Sequence, residues 1–214
     1  EYEIEAMFLY YIHKKYNCQH ISYKCICSSA HNSAILHYGN SSHPTDRNLK
    51  ISDMVLLDMG AEYYCYGSDI TCSFPLNGIF SPDQKLIYNA VLDAQYACFN
   101  IVRAGITWNE LHYKALEMIV TRLIDMNIIV PCGASIKQLI VDYKLGHVFM
   151  PHYIGHLMGQ DVHDPDGFDT YAPNLPTTHK TKKNRLLRVG NVITIEPGIY
   201  FIESLYMPFI NDPV

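Results

Sequence analysis

The stretch at residues 54–75, MVLLDMGAEYYCYGSDITCSFP, constrains the chain most. It reads as a strand, a turn and a returning strand. Two carboxylates, Asp58 and Asp69, sit among apolar, β-branched and aromatic neighbours such as Leu56, Leu57, Ile70 and Phe74. A lone charge in such a setting is costly. The two are eleven residues apart, with a midpoint between Tyr63 and Tyr64. A turn centred there sets them opposite each other on one side of the sheet, where like charges repel unless a cation lies between them. Gly60 as a bulge would shift that register. By spacing alone two readings stand: a pair of cation ligands, or one capping and one turn aspartate.

The 214 residues, 49% hydrophobic, suffice for one domain with a substantial core or for two small ones. The net charge of −5 comes without a long single-sign run. The basic stretch at 180–188 is too short for a nucleic-acid arm and reads as a solvated loop or a site for one small anion. No apolar run approaches the roughly 18 residues that span a bilayer, so no membrane partner is expected. The seven cysteines are an odd number without framework spacing. Cys25 and Cys27 share one face of a strand and cannot bridge. Free thiols point to a reducing compartment, and a cytoplasmic protein is expected. The chain opens on EYEIEA, with neither an initiator Met nor a signal peptide, and is expected to be a piece of a longer protein.

Along the chain, Ile4, Met7, Phe8 and Tyr11 predict an amphipathic helix over residues 2–15. Alternation predicts strands at 22–29 and 34–39, separated by His31-Asn32-Ser33. Ser81-Pro82-Asp83-Gln84 is a helix start, and the helix runs to Ala104 with Leu86, Ile87, Ala90, Val91, Ala94 and Ile101 inward. Thr107-Trp108-Asn109-Glu110 opens a second helix that buries Leu111, Ala115, Met118, Ile119 and Leu123. A shorter helix is predicted at 135–143, and two strands broken at Pro197-Gly198 at 192–202. Strands, then helices, then strands argue an α+β fold with a largely antiparallel sheet.

Other residues carry chemistry. His152 and His156 have the spacing of a helical zinc pair, but no Glu follows His152, and Pro151 and Gly155 speak against a helix. His152, His156 and His163 fall within twelve residues, threaded by Gly155 and Gly159, and glycine lets backbone approach a site closely. Glu196 lies in ITIEPG among Ile193, Ile195 and Ile199; it is a site residue or an edge-strand carboxylate. His37 in ILHYG is a site residue or a satisfied core histidine.

Taken together, LLDMGAEYYCYGSDITCSFP, VFMPHYIGHLMGQDVHD, ITIEPGIYF and SYKCICSSAHNSAILHYG resemble the prolidases, or Xaa-Pro dipeptidases. Their larger group includes aminopeptidase P and methionine aminopeptidase. The resemblance implies a pita-bread fold, a curved and largely antiparallel sheet covered by helices. Residues 1–214 would be its catalytic domain, truncated at both ends, from a protein that is a homodimer at full length. It also implies a centre of two Mn²⁺ ions held by Asp58, Asp69, His156 and Glu196, and carboxylates with one imidazole suit that ion. Two such ions, about 3.5–4 Å apart, hold a hydroxide and polarise the scissile carbonyl. His37 and His163 would contact substrate, Glu196 and His163 would take part in catalysis, and Lys182 or Arg185 would meet the substrate carboxylate.

The substrate implied is a dipeptide ending in proline or hydroxyproline, with no nucleic acid as partner. Alternatives are aminopeptidase P activity on longer peptides, or a non-catalytic binding module of the same fold. Three departures stand out. The family's fifth ligand, a Glu, lies on a strand beyond the segment that Val214 closes, so this piece alone is expected to hold at most one ion weakly. Tyr153 stands where the family's Pro-His-Gly-Leu-Gly-His run has Gly, and a ring there is expected to narrow the substrate channel. Lys182 stands near the position of the family's carboxylate-binding Arg.

Overall fold

Helix α1 (Tyr2–Tyr16) forms where the apolar periodicity predicts it and ends at Asn17, whose φ of 54° is left-handed. It buries little beyond Ile12, so it is held mainly from its first residue. The buried Glu1 carboxylate accepts hydrogen bonds from Ser29 Oγ at 2.6 Å, Tyr38 Oη at 2.6 Å and Asn32 Nδ2 at 3.2 Å. The computed structural model describes residues 1–40, 42–165 and 185–210. They fall into two compact units, residues 1–85 with 158–164, and residues 86–157 with those from 165 on.

The first unit is built on two small antiparallel sheets. One pairs β1 (His20–Ile21), β4 (Ala61–Tyr63) and β5 (Tyr66–Gly67) in that order. The other sets β3 (Met54–Met59) between β2 (Ile26–Ser29) and β6 (Ile70–Pro75). The predicted strand at 22–29 is thus split between β1 and β2. The predicted strand at 34–39 does not form: Ala30–Ala34 is a 3-10 turn, and His37 takes a left-handed φ of 51° that no extended strand accommodates. The turn buries Tyr38, whose hydroxyl reaches both Glu1 and the carbonyl of Pro44.

The hairpin is centred one residue later than its sequence spacing implied. Tyr63 pairs with Tyr66 and Asp58 with Thr71. Tyr64 and Cys65 have φ of 49° and 67°, the sign pattern of a type I′ turn that normally selects Asn-Gly. Gly60 interrupts the ladder between β3 and β4. A Cβ there would lie 1.9 Å from the Ser68 carbonyl oxygen and 2.8 Å from the Tyr23 ring, so only glycine fits.

In the second unit, helices carry the core. Helix α2 (Pro82–Ile101) starts with Ser81 and Gln84 exchanging hydrogen bonds, as predicted. It buries Ala90, Ala94, Ala97 and Cys98, while Leu86, expected inward, is exposed. Full capping boxes open α3 (Trp108–Asp125) at Thr107 and Glu110, and α4 (Ile136–Val141) at Ser135 and Gln138. Helix α3 buries Leu111, Leu116, Ile119, Val120 and Leu123, with α4 and the short α5 (Leu145–Phe149) packed beside it. Each such side chain contributes about 1.5–3 kcal/mol on burial. The two strands predicted at 192–202 do not form a regular sheet. Instead extended backbone at 193–196 runs antiparallel to 154–157, and a single helical turn follows at Glu203–Tyr206.

Candidate metal centre

Asp58 lies on the middle strand of the first unit, so its backbone is fixed from both sides. Asp69 stands two residues before Thr71, the cross-strand partner of Asp58, so the hairpin sets the two carboxylates diagonally rather than directly opposite. One group links them: the Tyr23 hydroxyl donates to Asp58 Oδ1 and lies 3.1 Å from Asp69 Oδ1. Burial, followed by the hydrogen bond to Asp58 and then the Asp58 and Asp69 charges, pushes the Tyr23 phenol well above its ordinary pKa, so it stays a donor. A phenol carries one proton for two carboxylates. Carboxylate oxygens of this kind are ligands that suit hard cations. Tyr23 was not singled out in the sequence, because a Tyr in SYKCICSS reads as an ordinary strand aromatic.

His156 and Glu196 come together in the second unit. The extended segments place them: Thr194 N–H donates to the His156 carbonyl and Glu196 N–H to that of Ile154, each at 2.9 Å. Gly155 permits the approach, since a Cβ there would fall 2.2 Å from the Thr194 carbonyl oxygen. Thr194 then ties the His156 backbone to the Glu196 side chain. Its Oγ1 accepts the His156 N–H at 2.9 Å and donates to Glu196 Oε1 at 2.7 Å.

The His156 ring has a defined orientation within that pair. Nδ1 lies 3.0 Å from the Leu157 carbonyl, which only accepts, so Nδ1 carries the proton. In the neutral ring, Nε2 then presents a lone pair, and it faces Glu196 Oε1 at 3.3 Å. An imidazole nitrogen and a carboxylate oxygen at this distance can share a proton or a cation. An imidazole nitrogen with a carboxylate oxygen is a fitting donor set for a divalent transition-metal ion.

The other candidates are placed less centrally. His37 is exposed in its turn, and His163 is exposed in the 158–164 segment of the first unit. Arg185 is half-buried beside an antiparallel bridge between Leu186 and Thr107, and Lys182 lies outside the described residues. His152 emerges as an additional candidate. Its Nδ1 meets the Tyr153 carbonyl at 2.8 Å, and its buried Nε2 has no hydrogen-bond partner among the described residues. Tyr153 turns its ring onto α3, where its hydroxyl donates to Asn109 Oδ1 at 2.8 Å. All seven cysteines are free. Burial pushes the thiols of Cys25 and Cys98 up to about 11 and that of Cys27 to about 12, so none of these is a thiolate nucleophile at neutral pH. Among the described residues no helix is long and apolar enough to cross a membrane.

Comparison with known proteins agrees with this chemistry. The family model for metallopeptidase family M24 matches residues 1–214. Human Xaa-Pro dipeptidase is 43% identical over 215 residues, covering all of this chain and 43% of its own length. A probable Xaa-Pro aminopeptidase of Sclerotinia sclerotiorum is 36% identical over 192 residues, 90% of this chain and 34% of its own. The structure of Pseudomonas aeruginosa aminopeptidase PepP superposes with a TM-score of 0.79 at 34% identity, covering 95% of this chain and 42% of that one. The chain thus spans less than half the length of the relatives it matches. The fold is the α+β pita-bread fold of these enzymes. On sequence and structure alike, the chain belongs to metallopeptidase family M24.

Proposed function

We propose that the full-length protein hydrolyses Xaa-Pro dipeptides, with Asp58, Asp69, His156 and Glu196 as ligands of two divalent ions, manganese by preference. The observation that carries this reading is the His156–Glu196 pair, an imidazole nitrogen 3.3 Å from a carboxylate oxygen. The carboxylate pair at Asp58 and Asp69 and the likeness to a dipeptidase along the whole chain support it. When bound, such ions supply Lewis acidity at the scissile carbonyl and acidify water.

The chain's own residues do the rest. Glu196, held by the Thr194 hydroxyl, takes the proton of the attacking water and returns it to the departing proline nitrogen as the C–N bond breaks. His163 and His37 donate hydrogen bonds to the substrate's oxygens, which matters most as the carbonyl oxygen gains charge. Arg185 or Lys182 pairs with the free carboxylate. Proline's nitrogen has no N–H, so recognition rests on the ring and the carboxylate. The resemblance extends the proposal to residues 1–214 as an incomplete catalytic domain of a homodimer. Seven free cysteines favour the cytoplasm. Aminopeptidase P activity is the second reading, favoured by the solved structure that superposes.

The test is Gly-Pro hydrolysis by the full-length protein, stripped with chelator and reloaded. Activity should vanish on stripping and return with Mn²⁺. Glu196→Gln should lower kcat by on the order of 10²–10⁴. A folded full-length protein that cleaves no Gly-Pro with Mn²⁺ present would refute the dipeptidase reading.

A further inference from the structure

We infer that Tyr153 is a positioning residue: it ties the segment that carries His156 to helix α3 and so sets how well that imidazole holds a metal ion. The inference rests on the proposed role of His156 as a ligand.

The segment 152–157 is held from two sides. On one side are its bonds to 193–196, described above. On the other, Tyr153 is its anchor. The Tyr153 hydroxyl donates to Asn109 Oδ1 at 2.8 Å, and its ring lies 4.3 Å from that of His112, inclined by 31°. Trp108 packs at 6.4 Å. These three partners occupy the first turns of α3. That end of the helix is firmly held: the capping box closes it, and Trp108, Leu111 and His112 are buried. Tyr153 is thus attached to a rigid element through two kinds of contact, one directional and one by packing.

Glycine at this position, as in the related motif, has no side chain to anchor and leaves the backbone freer. Tyr153, by contrast, presents both a ring and a hydroxyl. It is half-buried against the helical core, and burial pushes its phenol up to about 12, so it remains a neutral donor to Asn109. One residue on, the Ile154 carbonyl accepts the Glu196 N–H, and two further on is His156. Groups that orient a ligand from behind commonly govern metal affinity by ten- to a hundredfold.

The experiment uses full-length protein and three variants, Tyr153→Phe, Tyr153→Gly and Asn109→Ala. Mn²⁺ binding is measured by calorimetry, the Co²⁺-loaded protein by its visible absorption, and the metal-free protein by urea unfolding. Tyr153→Gly should weaken Mn²⁺ binding by on the order of ten- to a hundredfold and alter the Co²⁺ spectrum. Tyr153→Phe, which keeps the stack, and Asn109→Ala should each weaken it less, and their double variant no more than the larger single one. If Tyr153→Gly does not fold, the two milder variants decide the question. Unchanged Mn²⁺ affinity and Co²⁺ spectra alongside reduced folding stability would overturn the inference and leave Tyr153 a packing residue. A wild-type protein that binds Mn²⁺ without cleaving Gly-Pro would sink the peptidase reading and not this one. Wild-type protein that binds neither ion would sink both.

Discussion

A hydroxyl has one proton, and Thr194 Oγ1 already accepts the His156 N–H, so its own proton goes to Glu196 Oε1. One small side chain therefore fixes the backbone of one candidate ligand and the carboxylate of another. Replacing it by the isosteric Thr194→Val keeps the shape and removes both bonds, leaving the His156 N–H without its acceptor. Urea unfolding of the metal-free protein should show a loss of about 1–3 kcal/mol. Thr194→Ser should lose about 1 kcal/mol or less, since only a methyl goes. Equal losses for the two would mean that the hydrogen bonds are not what matters. Asp58, Asp69 and Glu196 stand out in the sequence as candidates because each is a carboxylate among apolar neighbours. Thr194 and Tyr23 were not, because Thr and Tyr are what a strand carries anyway. Their roles depend on which hydroxyl lands beside which carboxylate, and pattern does not encode that.

Strand β3, which carries Asp58, is secured at its start by Asp53. The Asp53 carboxylate accepts from the Arg47 guanidinium at 2.6 and 3.2 Å and from the Lys50 N–H at 2.8 Å. The Arg47 hydrogen bond first, then that of Lys50, holds its pKa below the usual carboxylate value. A carboxylate depressed in the folded state stabilises fully above its unfolded pKa of about 3.9, and the contribution is lost as pH falls through the lower, folded value. Asp53→Asn should therefore be less stable at pH 7 and show a shallower loss of stability below about pH 4 than the wild type, by urea unfolding along a pH series. Parallel acid limbs would refute this. At this scale the helices were the readable part. Ser81 and Thr107 each announce a helix start by a local rule, and both caps form, as does one at Ser135. The strands were less so. AILHYG has a strand's alternation, yet the pull of a buried Tyr38 on Glu1 wins and bends it through His37. ITIEPG pairs with a short irregular segment, and its neighbours lie some forty residues away, beyond any local pattern.

For the molecule as a whole, the family is settled and the substrate's length is not, because one fold serves both dipeptidases and aminopeptidases. A dipeptide differs from a longer peptide by a charge: its proline carries a free carboxylate at the place where a longer chain continues as an uncharged amide. A site made for dipeptides needs a cation there, and a hydrogen bond to a charged group is worth about 1.5–3 kcal/mol, a factor of roughly ten to a hundred. Arg185 suits the role. Its neighbours Leu186 and Leu187 are tied to the loop before α3, through the Thr107–Leu186 bridge and the Leu187 N–H to the Ile106 carbonyl at 2.8 Å. A guanidinium also offers the fork that a carboxylate takes best. The full-length protein should accordingly prefer Gly-Pro to Gly-Pro-amide by at least about tenfold in kcat/KM. Arg185→Leu should raise KM for Gly-Pro by a similar factor while leaving the amide nearly unaffected. Should Lys182→Leu do this instead, the carboxylate role passes to that lysine. Equal cleavage of the dipeptide, its amide and an Xaa-Pro-Xaa tripeptide would favour the aminopeptidase reading over the dipeptidase one.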